Sequence, residues 1–206
     1  MSGVLSTGSF ILNIYFPLVF TLMAVFFLYI GLKVITSKKP LLLPSKVFFV
    51  FMVIAFSPQL IMSVETQFST GVISLLSLMS PIMYVVLLAF FWIQMKGYMA
   101  IGISDDSFRN ALHYALDQNH VQFEEQVSLI KLTNSNADLL VSVQSWVGTG
   151  QLKLKQSKSK HLLNTLVPSI NQYFQSHSVK TNSTTPVFYI LIGLILLVLS
   201  VFFYSF

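Results

Sequence analysis

Long apolar stretches, scarce charge and one charged segment of mixed periodicity predict the fold class. It is a membrane α-helical protein with four transmembrane helices and a small cytoplasmic α+β domain inserted between spans three and four. Only 9% of the 206 residues are charged and 54% are hydrophobic, whereas a soluble domain carries about a quarter charged residues. The charges are also unevenly placed. Residues 96–185 hold 14 of the 19, 8 basic and 6 acidic, and the other five are Lys33, Lys38, Lys39, Lys46 and Glu65. Charge is expensive in hydrocarbon, so the remaining chain suits a bilayer. The expected organisation is a three-span region over 1–96, a domain with a polar tether over 97–185, and a fourth helix over 186–206.

Phe10–Leu32 is an uncharged run rich in Phe, Leu, Ile and Val, and about 20 apolar residues suffice to cross the hydrocarbon core. It lacks the basic n-region and shorter core of a cleaved signal peptide, so it is read as a retained span. Span two runs from Val47 to Val64, interrupted at Ser57-Pro58-Gln59; span three covers Val72 to Met95, with Ser80-Pro81 in its first third; span four is Val187–Phe206. Lysines 33, 38, 39 and 46 flank the first loop, the second loop holds only Glu65, and Lys96 opens the charged segment. Positive loops stay cytoplasmic, which places both termini outside and residues 97–185 inside. Tyr29, Trp92, Tyr98 and Tyr189 then fall near the cytoplasmic interface, where aromatic rings are favoured. The expected location is a plasma membrane, the inner membrane of a bacterium.

Within the domain, Ser104 followed by Asp105 and Asp106 starts a helix by capping it and placing acid at its positive end. Phe108, Ala111, Leu112, Ala115 and Leu116 line one face of that helix, which ends near Gln118-Asn119. Phe123–Leu132 suits helix or strand. Leu139, Val141, Val143, Ser145 and Val147 alternate as a strand, Gly148-Thr149-Gly150 turns, and Gln151–Gln156 alternates back, a hairpin pattern. A last helix from Ser159 gathers Leu162, Leu163, Leu166, Val167, Ile170 and Phe174 on one side, with Pro168 expected to kink or divide it. The domain is therefore helix, two- or three-stranded antiparallel sheet, helix. Residues 176–185 read as the tether into span four.

No intramembrane acid, base or histidine marks an ion relay. The polar side chains of the spans are Asn13, Thr21, Ser57, Gln59, Ser74, Ser77, Ser80, Gln94 and Ser200. Gly71, Ser74, Ser77 and Ser80 recur every three residues, a small-residue stripe suited to an oligomer seam, a pore lining or packing among the spans. Cysteine is absent, so disulfides, thiol chemistry and Cys-based metal sites are excluded. His113 and His120, with Glu124 or Glu125, match no standard metal-ligand spacing, and no nucleophile elbow or phosphate loop is present. No cofactor and no enzymatic activity are expected, and nucleic acid is not an expected partner.

The strongest binding signal is Lys153, Lys155, Lys158 and Lys160, two on one strand face and two at the following helix start. Ammonium groups beside a helix N-terminus suit a phosphate-like anion, an anionic lipid headgroup or an acidic protein. The same lysines also protect an edge strand against aggregation. Trp146 beside the turn is the aromatic candidate for ligand or partner stacking. The expected function is a membrane scaffold or sensor subunit that oligomerises through its spans and binds a partner protein or anionic ligand. A ligand-gated pore or membrane-disrupting effector, and more weakly a small transporter, are the alternatives.

Overall fold

The computed structural model describes residues 11–70, 75–125, 129–133, 137–155 and 160–205. A π-helical turn, Ile11–Tyr15, leads into α1 (Phe16–Ser37), then β1 (Leu41–Pro44), α2 (Ser45–Thr70), α3 (Leu75–Gln94) and β2 (Tyr98–Ile101). Next come α4 (Asp105–Gln118), β3 (Phe123–Glu125), β4 (Leu129–Leu132), β5 (Ala137–Gln144), β6 (Thr149–Leu154), α5 (Lys160–Ser176) and α6 (Thr184–Tyr204). Among the described residues three helical stretches, Asn13–Ser37, Ser45–Glu65 and Thr184–Tyr204, are long and apolar enough to cross a membrane. Pro81–Gln94 of α3 is a shorter apolar helix. The chain divides into two compact units, one of Met1–Phe27, Lys46–Lys96 and Ile192–Phe206, the other of Leu28–Ser45 and Gly97–Leu191.

In the first unit the prolines do not break their helices. Pro58 lies inside α2, and Pro81 inside α3. Pro58 has no N–H, so the Ile54 carbonyl four residues back loses its helical partner. Two hydroxyls replace it: Tyr15 donates to Ile54 O at 2.8 Å, and Ser57 Oγ donates to the same oxygen at 2.9 Å. Tyr84 Oη donates to the neighbouring Val53 carbonyl at 3.0 Å. Freed backbone groups in an apolar setting must find such partners, and the expected interruption at Ser57-Pro58-Gln59 is therefore a continuous helix.

The second unit is built on a six-stranded antiparallel sheet in the order β1-β2-β6-β5-β4-β3. This corrects the two- or three-stranded expectation. The ambiguous Phe123–Leu132 stretch supplies two strands paired Phe123↔Leu132. Leu41–Pro44, in the first loop, pairs with Tyr98–Ile101, adding an edge strand that ends on proline, where a missing N–H is tolerated. The β5–β6 hairpin forms with Gln144 opposite Thr149. Its turn is Ser145–Gly148 and not Gly148–Gly150, so Ser145 and Val147 leave the strand.

Helices α4 and α5 cover one sheet face. Ser104 caps α4, its Oγ accepting from Ser107 N while Ser107 Oγ accepts from Ser104 N. Phe108, Ala111, Leu112, Ala115 and Leu116 are buried as the period requires, against Leu166, Ile170 and Phe174 of α5 and Ile130, Leu139 and Leu152 of the sheet. Pro168 sits within one continuous α5 and does not divide it.

Candidate functional site

The alternation of β6 sends Leu152 into the core and Lys153 to the other face, where it stands opposite Leu140. Partial burial pushes the Lys153 ammonium below the usual lysine pKa. Lys155, next on that face, reaches Asp138 of β5 with Nζ–Oδ2 at 3.3 Å. Asp138 is also the register partner of Lys131. This acid is close to the lysines in space but distant in sequence, and the basic face is therefore partly neutralised. Lys158 lies outside the described residues, and Lys160 opens α5. The structure thus brings Lys153 and Lys155 onto one face beside an acid, and of Lys160 the backbone alone is described.

Trp146 lies in the β5–β6 turn itself, 81% exposed. The backbone around it is held. Val147 O accepts from Thr185 N at 3.1 Å and from Thr185 Oγ1, and Asn182 Nδ2 donates to Ser145 O at 2.6 Å. Gly148 O accepts the N–H groups of Gly102 at 2.8 Å and Ile103 at 3.1 Å. The expected tether is consequently short and docked: α5 ends at Ser176, and Asn182 and Thr185 fasten the start of α6 to this turn.

Of the small-residue stripe, Gly71 and Ser74 lie outside the described residues, and Ser77 and Ser80 fall on α3, where the backbone alone is described. A different small-residue pattern packs the described helices. Pro17, Ala24 and Gly31 of α1 recur every seven residues and are buried, as do Pro186, Gly193 and Ser200 of α6. Ser200 Oγ donates to Pro17 O at 2.8 Å and lies 2.6 Å from Thr21 Oγ1. A Cβ on Gly31 would meet Pro186 O at 2.7 Å and Ile190 Cγ1 at 2.6 Å. Such spacing lets helix backbones approach closely. The signal was present in the sequence as two seven-residue repeats, at 17, 24 and 31 and at 186, 193 and 200. Thr21, Ser57 and Ser200 are thereby engaged within the helices, and Gln59 lines an apolar crevice of about 230 Å³ with Met52, Phe56, Met83 and Tyr84.

Two titratable side chains of α4, Arg109 and His113, meet the edge strand β3. Arg109 bonds Asp105 at 3.0 Å and also Glu125, and His113 Nε2 lies 2.8 Å from Glu125 Oε2. The hydrogen bond to Asp105 raises the Arg109 pKa above its ordinary value. His113 leans on the Phe123 ring at 5.2 Å, and His177 stacks on Tyr173 at 4.3 Å. Among the described residues no group of three His, Asp or Glu is placed to hold a metal. Glu125 thus fastens a three-residue edge strand. Glu125→Gln is expected to cost about 1 kcal/mol or less, as partly exposed ion pairs do, and to speed amide exchange in Phe123–Glu125 relative to β5. Equal exchange in both strands would remove this role. No protein-family model, curated protein or solved structure matches the chain.

Proposed function

We propose that this chain is a four-span membrane scaffold or sensor subunit, with α3 as the remaining span and residues 97–185 in the cytoplasm. Its spans associate with further copies. The lysine-bearing sheet face binds an acidic partner protein or an anionic ligand. Orientation rests on Lys33, Lys38, Lys39, Lys46 and Lys96. The observation that carries the reading is the pairing of Lys153 and Lys155 on one sheet face, with Lys153 opposite Leu140 and Lys155 beside Asp138 at 3.3 Å. Exposed ammonium groups on one face suit an anionic ligand or an acidic protein surface.

The pore reading is less favoured, because Thr21 and Ser200 spend their hydroxyls on each other and on Pro17 O, and Ser57 spends its own on Ile54 O of the same helix. Sedimentation of the detergent-solubilised chain, with binding of a nucleoside triphosphate as polyanionic probe, tests the proposal. Basic residues near an anionic surface each contribute roughly 1 kcal/mol. Lys153→Glu with Lys155→Glu is therefore expected to weaken probe binding at least about tenfold. A monomer whose binding is unchanged by the reversal would sink the reading.

A further inference from the structure

We propose that the Ser145–Gly148 turn is a membrane-interface anchor, with Trp146 seated among the lipid headgroups of the bilayer that α6 enters. The proposal rests on reading α6 as a span. The turn is locked to the first turn of α6 by the bonds from Thr185 to Val147 O and from Asn182 to Ser145 O, and Thr185 is buried there. The lipid-facing surface of α6 begins at once: Val187, Phe188 and Leu191 are exposed. One helical turn rises only about 5.4 Å, so Trp146 stands at the level where apolar helix surface starts.

A second helix marks the same level. Gly31 of α1 packs on Pro186 and Ile190. Flanking it, exposed Tyr29 and Lys33 pair with each other, Nζ 3.1 Å from the phenol oxygen and 5.3 Å from the ring centre. Tyr and Trp with a neighbouring Lys are the side chains that water–lipid boundaries favour, since each has an apolar body and a polar tip. An indole left 81% exposed in water would leave its apolar area unburied. A bilayer interface buries the ring while solvating the indole N–H, and the apolar surface of α6 calls for that occupant at this height.

The chain has only two tryptophans, Trp92 and Trp146, so Trp92→Phe isolates one emission and Trp146→Phe the other. Each variant is reconstituted in phosphatidylcholine vesicles containing lipid brominated near the carbonyl end of its acyl chains, with iodide on both sides. The expected result is at least about a twofold loss of Trp146 emission to the bromolipid with little loss to iodide, as for an interfacial ring. Iodide quenching of Trp146 without bromolipid quenching, while Trp92 responds to bromolipid, overturns the anchor alone. Shielding of Trp146 from both quenchers also overturns it and assigns the turn to a second copy. If neither tryptophan responds to bromolipid, the span reading itself fails.

Discussion

Phe108→Ala is expected to destabilise the sheet-bearing unit by about 3–5 kcal/mol, the usual cost of emptying a buried phenylalanine site. Phe108 is fully buried on α4, in the one cluster that joins α4, α5 and the sheet. Leu112 on α4 and Leu166 and Ile170 on α5 belong to the same cluster, and packed helices relax only partly around a vacated site. Small domains hold only about 5–15 kcal/mol in reserve, so the substitution removes a large share of it. Hydrogen exchange on the full chain in detergent reads the effect. At about 1.4 kcal/mol per decade, protection of the β5 and β6 amides should fall by about two to four decades. Leu140→Ala, at a position 37% exposed on the opposite sheet face, is the control and should cost far less. Equal losses for the two variants would mean that α4 is not the core helix.

Gly102→Val should do comparable damage by a different route. Gly102 has φ 77, a left-handed conformation that costs other residues about 1–2 kcal/mol and β-branched ones more. A Cβ there would stand 2.5 Å from Val34 Cγ1, and overpacking typically adds about 1–3 kcal/mol. The backbone cannot move away freely, because Gly102 N–H donates to Gly148 O at 2.8 Å and its carbonyl accepts from Asn182 N at 3.1 Å. The strain therefore falls on the junction of the β5–β6 turn with the start of α6, and faster proteolysis across residues 177–183 is the expected readout. Adding Val34→Ala separates the two causes: it should restore the steric part and leave the backbone part. No recovery at all would place Val34 away from Gly102.

The short-range features were readable in advance for a physical reason. The α4 helix announces itself by its Ser104 cap and its 3.6-residue period, and the β5–β6 hairpin by its two-residue period. The Leu41–Pro44 strand carried no such signal. Four residues between two apolar helices read as a loop, and only the distant partner Tyr98–Ile101 makes them a strand. Its position also explains how a charged first loop, taken only as an orientation marker, contributes to the sheet. The candidate site shows the same split. The lysines at 153 and 155 were visible as a local charge run, whereas their neutralising neighbour Asp138 is brought beside them by strand register.

Composition and charge placement by themselves determined that this is a chain of long apolar helices around one charged, mixed α/β segment, because burial cost acts on each residue type wherever it stands. Tertiary structure alone decided that the sheet has six strands, that Pro58 interrupts nothing, that the polar tether is docked, and that Trp146 sits at the first turn of α6. Each of these depends on hydrogen-bond partners far apart in the chain, such as Tyr15 with Ile54 or Thr185 with Val147. Local periodicity reports which face of an element is apolar. It carries no record of which unpaired carbonyl that face will meet.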